Sequence, residues 1–111
     1  MMVSDLRPLA DERVRFSLRA VPKLATKSGV YALSTFYCEI LYIGSSCNLK
    51  KRMTQHLESV KYDHKSPKGR TYWLYYSSCP RNKCFYMERG GLIHFLLQEA
   101  RLPYFNKIRS P

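Results

Sequence analysis

At 111 residues the chain has room for one domain with one modest core, because a chain this short rarely divides and still buries enough apolar surface in each part. No run approaches the roughly 18 apolar residues of a membrane span, and the opening MMVSDLRPLADERVRF lacks the apolar stretch of a secretory signal, so the expected location is the cytoplasm, or the nucleus in a eukaryote, with no membrane partner. Nineteen Lys and Arg against eight Asp and Glu leave a net charge of +11, a field that draws in a polyanion and weakens as salt rises.

In chain order, residues 1–27 read as an N-terminal extension: LADERVRFSLRAV could form two or three helical turns, and Pro22 then interrupts. GVYALSTF (29–36) and EILYIGS (39–45) are rich in β-branched and aromatic residues and are separated by only a few, which predicts an antiparallel hairpin. A loop centred between Phe36 and Tyr37 would set Tyr31 across from Tyr42, both phenols on one face. Asn48 is suited to cap a helix from Leu49 to about Val60, whose core-facing stripe would be Leu49, Met53, Leu57 and Val60. Arg52 and His56, four apart, would then flank that stripe at its border with solvent.

KYDHKSPKGR (61–70) reads as a basic loop, TYWLYYSS (71–78) as a third strand and CPRNK as a turn. A second helix is expected from Phe85 to about Arg101, with Glu88 on the flank of Leu92 and Phe95. Gly90 and Gly91 within it would each cost about 1 kcal/mol relative to alanine, so close approach of a backbone or ligand is the expected reason for them. Pro103 ends the helix, and Asn106 follows in a turn. The four cysteines lack zinc spacing and read as buried or half-buried thiols.

The succession GVY, LYIG, SSCNLKKR, an acid on a later helix and then PYFN resembles the GIY-YIG nuclease family over roughly residues 28–107. The first tripeptide has Val30 where the family name has Ile, an exchange that leaves the tyrosine in place. The resemblance implies an α/β domain of the α+β type spanning 28–111, with a small three-stranded, mostly antiparallel sheet flanked by helices. It also implies a metal-dependent endonuclease acting on DNA. Tyr31, Tyr42, Arg52, His56, Glu88 and Asn106 match the family's active-site positions, and Gly44 matches the glycine closing the second strand.

The chemistry of phosphodiester hydrolysis suits those residue types. A guanidinium such as Arg52 keeps its charge and offers forked donors to phosphate oxygens. Glu88 can hold one Mg²⁺ or Mn²⁺ when substrate and water supply the other ligands. The resemblance favours Tyr31 as general base; His56 is the alternative acceptor or a relay to Tyr31, with Tyr42 positioning the water or the phosphate. Taken singly, each residue has a plainer reading: cross-strand packing for the tyrosines, a solvated flank for Arg52 and His56, an ion pair for Glu88, a turn for Asn106.

Between Ser45 and Met87 nine cations face only Glu58 and Asp63, the imbalance of a phosphate-facing surface. Lys50, Lys51, Lys61, Lys65, Lys68, Arg70 and Arg89 are the expected nucleic-acid contacts, and outward residues among Tyr72, Trp73, Tyr75 and Tyr76 could stack on bases. The competing expectation is a binding module with the same fold that cuts nothing. A partner protein or a dimer could supply target choice, in repair, restriction or mobile-element spread.

Overall fold

The computed structural model describes residues 1–6, 12–24, 26–59 and 66–107. Its centre is a four-stranded antiparallel sheet of β1 (Glu12–Arg15), β2 (Gly29–Ser34), β3 (Ile40–Ser46) and β4 (Trp73–Ser78), in the order β1-β4-β2-β3. Helix α1 (Leu49–Leu57) follows β3, and helix α2 (Arg81–Glu99) follows β4. Every residue of β2 is buried, because that strand has a neighbour on each side and packing on both faces. On one face Phe16, Leu33 and Leu74 pack against Met53 and Leu57 of α1; on the other Val3, Leu6, Ala32 and Ile43 pack against Phe95 of α2.

The expected three-stranded sheet gains a fourth member. Residues read as helix at the N-terminus form β1 and then a 3₁₀ segment, Leu18–Lys23, with Pro22 inside it. The period here is two rather than 3.6: Val14 and Phe16 turn into the α1-side core while Arg13 reaches Trp73 and Tyr75. The open edge of β4, where Glu12 pairs with Tyr76 and Arg15 with Trp73, supplies backbone partners that no local propensity announces.

The hairpin forms, but its register differs by two residues from the expected one. Tyr31 pairs with Gly44, and Leu33 with Tyr42. The cause is the connection: Thr35 and Cys38 close a turn by a 3.0 Å backbone bond, Cys38 takes the left-handed conformation at φ 68°, and the ladder is irregular after Leu33. A shift of two preserves the face, so Tyr31 and Tyr42 still project together.

Asn48 caps α1 as expected, its side-chain oxygen accepting from the Lys51 amide at 3.0 Å. The helix ends at Leu57, and the expected continuation to Val60 lies outside the described residues. Helix α2 begins four residues before the expected start, because Pro80 is already set for helix entry and its carbonyl accepts from the amides of Lys83 and Cys84. Cys79 and Cys84 are joined as a disulfide across this entry, in place of the two thiols read from sequence, while Cys38 and Cys47 are free. A β-carbon at Gly91 would lie 3.5 Å from the Ile43 side chain, an ordinary contact, and one at Gly90 would meet open space, so neither helical glycine is required by the close approach the sequence led us to expect.

Candidate active site

Three elements bring the site together at the β3 edge of the sheet. β2 supplies Tyr31, β3 supplies Tyr42, and α1 supplies Arg52 and His56. The two phenol rings lie 5.9 Å apart at 30°, and the His56 ring meets each by its edge, at 5.5 and 5.0 Å. Their approach depends on Gly44, which lies directly across from Tyr31. A β-carbon there would sit 2.6 Å from the Tyr31 hydroxyl and 2.7 Å from Tyr42, so only glycine leaves room for the two rings.

The Tyr31 oxygen is the hub. It lies 2.6 Å from His56 Nε2 and accepts from Arg52 Nε at 3.2 Å. With Arg52 donating to that oxygen, the phenolic proton is directed at the imidazole. The same guanidinium reaches Tyr42 Oη from Nη2 at 3.5 Å and donates from Nη1 to Gln55 Oε1 at 3.1 Å. Gln55 is a positioning residue that the sequence reading missed; its only signal is the three-residue spacing from Arg52.

His56 is fully buried, not at the solvent border where the spacing set it. Its position seven residues after Leu49 and three after Met53 lies on the core stripe itself, and the two tyrosine rings complete its cover. Tyr31 is 3 % exposed, and burial pushes its pKa well above the usual phenol value. Tyr42 adds to that rise, and Arg52 pulls against it without cancelling it. Burial works against the charge of Arg52, but its interactions with Tyr31 and Tyr42 outweigh it and its pKa is raised.

Glu88 reaches the same strand from the opposite face. Its Oε1 accepts from the Ser45 hydroxyl at 2.5 Å, one residue beyond Gly44. Ser45 pairs with Val30, so by alternation it faces α2 whereas Tyr31 faces α1. Glu88 thus meets β3 on the α2 face of the sheet, opposite the face that carries the Tyr31–Arg52–His56 network, so the structure does not place all the expected site residues on one side. Ser45 is a second positioning residue that sequence reasoning missed; strand period alone could have found it. Among the described residues no three His, Cys, Asp or Glu gather as a metal cluster. A half-buried carboxylate with one oxygen held by a hydroxyl suits a hard cation that takes its remaining ligands from phosphate and water.

Asn106 does not join the network directly. In the 3₁₀ turn Tyr104–Lys107, its Oδ1 accepts from Ile43 N at 2.9 Å and its Nδ2 donates to Ile43 O at 3.0 Å. It occupies the outward hydrogen-bonding groups of β3 next to Gly44, which keeps that edge from slipping or pairing elsewhere. Of the expected nucleic-acid contacts, Lys51, Lys68, Arg70 and Arg89 are exposed, and Lys50 is half-buried. Arg89 lies 5.5 Å over Phe85, and Lys68 is 4.0 Å from Glu39. Lys61 and Lys65 lie outside the described residues.

The tyrosine pair beside a glycine on an antiparallel hairpin, followed by a helix bearing arginine and histidine, defines a class of small α+β nuclease domains. The GIY-YIG catalytic domain model matches residues 27–89, more than half of the chain, and the chain belongs to the GIY-YIG family. Family membership carries nuclease activity in general and nucleic acid as the substrate class. Among curated proteins, none matches the chain. No helix among the described residues is long and apolar enough to cross a membrane.

Proposed function

We propose that the chain is a metal-dependent endonuclease that hydrolyses DNA phosphodiester bonds, with Tyr31 and His56 working as a proton relay. The observation that carries this reading is the Tyr31 oxygen bonded to His56 Nε2 at 2.6 Å and to Arg52 Nε at 3.2 Å. A phenol whose pKa is raised is a poor stationary base at neutral pH, which argues against a standing phenolate. It can still pass a proton on. As water attacks phosphorus, its proton goes to Tyr31 Oη while the proton already there goes to His56 Nε2, so no lasting phenolate forms in the buried site.

Arg52 spans both phenols and keeps forked donors at the border of the site, where charge on the non-bridging oxygens can be stabilised. Tyr42 orients the guanidinium and the phosphate. Glu88 would hold one Mg²⁺ or Mn²⁺, whose chemistry there is charge stabilisation on the phosphate and the departing oxygen. Asn106 supports the site by fixing the edge strand.

Supercoiled plasmid incubated with Mg²⁺ tests the reading. Nicking or linearisation is expected in the wild-type protein and is expected to disappear in Glu88→Gln, with the thermal unfolding curve unchanged because the near-isosteric amide still accepts from Ser45. Intact plasmid, together with an intact branched duplex, would overturn the enzyme reading in favour of a binding module.

A further inference from the structure

A groove of about 710 Å³ lies at the β1 edge of the sheet, between β1 and the 3₁₀ segment Leu18–Lys23. Arg13, Arg15, Arg19, Lys23, Ser17 and Trp73 line it, and among the described residues no carboxylate does. All four cations are exposed. The groove is built from the segment that precedes residue 27, where the family match begins.

Two of the cations lie over aromatic rings. The Arg13 guanidinium sits 3.8 Å over the Trp73 ring and donates to Tyr75 Oη at 2.9 Å, and that of Arg15 sits 4.4 Å over Tyr72. Contact with a ring restrains each guanidinium and leaves N–H groups for an anion, with less side-chain entropy to lose on binding. Arg19 and Lys23 extend the line of charge along the 3₁₀ segment.

We propose that this groove is an accessory site for the phosphate backbone of duplex DNA flanking the point of cleavage. It rests on the nuclease reading for its substrate. Charge complementarity commits it to a polyanion: four cations without a carboxylate suit a run of phosphates, and the adjoining indole offers a face to sugar or base. Distance fits as well. β1 lies two strand spacings, about 10 Å, from β2, which carries Tyr31, and that is roughly three nucleotides along one strand. The N-terminal segment thereby adds phosphate-binding groups outside the cutting site.

Trp73 is the chain's one tryptophan, so its emission reports on the groove alone. Titration with a non-cleavable duplex in Ca²⁺ is expected to change Trp73 emission, and rising salt is expected to reverse it. In the doubly substituted Arg19→Ala, Lys23→Ala protein, duplex affinity is expected to fall roughly tenfold and the slope of log K against log salt to drop by about 2, because two fewer phosphates are neutralised on binding. Turnover at saturating duplex is expected to stay at the wild-type value, since neither residue touches the catalytic network. An unchanged salt slope in a variant with wild-type unfolding overturns the proposal; so does an equal emission change with anionic phospholipid vesicles or a polyglutamate peptide at the same salt. If the wild-type protein cuts nothing yet the variant loses affinity and slope, the groove stands and the nuclease reading falls. If the wild-type protein cuts but Trp73 emission ignores duplex, the groove falls alone; should the double variant misfold, this wild-type measurement decides.

Discussion

The two edges of the sheet use polar side chains in opposite ways. At the β3 edge, Tyr31 and His56 are buried and bonded to each other, and Arg52 is half-covered and tied to two phenols and a glutamine. At the β1 edge the cations are exposed, and two lie over aromatic rings. Buried polar groups of the first kind are costly unless every one is paired, and such pairing fixes geometry to the precision that chemistry needs. Exposed cations of the second kind are cheap to keep and individually replaceable, which suits adhesion to a repeating charge. The contrast predicts that single substitutions are severe at one edge and mild at the other.

The largest expected effect is Arg52→Ala. It removes the donor shared by Tyr31 and Tyr42, and loss of one transition-state donor of this kind lowers turnover by about 10²- to 10³-fold. A plasmid-nicking time course checks it, alongside circular dichroism to confirm folding. Turnover within about threefold of wild type, far short of that range, would take Arg52 out of the site and erase the contrast between the edges.

Gly44→Ala comes next and is a test of packing. Its β-carbon would lie 2.6 Å from the Tyr31 hydroxyl, and that side chain is held by His56 and Arg52 and cannot swing aside freely. Overpacking at such a site costs about 1–3 kcal/mol. Urea unfolding measures the loss, and nicking is expected to fall with it. A variant as stable as wild type would mean that the rings are not seated as described.

The smallest effect is the most specific. A raised folded-state pKa at Tyr31 means that above about pH 10 the unfolded chain releases this phenolic proton while the folded chain keeps it. The unfolded state then binds fewer protons, so stability falls as pH rises through that range; below it the contribution is fully present. In Tyr31→Phe this share of the alkaline loss is absent. Comparing urea midpoints at pH 8 and pH 11 in the two proteins cancels the lysines and other tyrosines common to both. Identical alkaline losses would show that the Tyr31 hydroxyl titrates as if in water.

Which side chains gather around Tyr31 was legible in the sequence, as was the class of fold, while the N-terminal strand was not. Tyr31, Tyr42, Arg52 and His56 could be named from order and spacing because each lies on an element whose period is local: two in the hairpin, 3.6 in the helix. The parity of the hairpin fixed the shared face of the tyrosines, even though the turn at Cys38 moved the register by two. β1 escaped notice for the opposite reason. Four residues with two arginines read poorly as a strand until the edge of β4 offers them backbone partners. Gln55 and Ser45 were overlooked because nothing marks a positioning residue until the group it positions is in place.

The amino-acid order alone determined which residues could do phosphodiester chemistry, the family they belong to, and the sign of the partner's charge. These follow from side-chain type and short-range periodicity. Tertiary structure decided that His56 is buried against two phenols, that Asn106 clamps the backbone of Ile43, and that an N-terminal segment completes the sheet and opens a cationic groove at its far edge. Each of those depends on residues far apart in the chain meeting in space, and burial and hydrogen-bond pairing are properties of such meetings, which no local window contains.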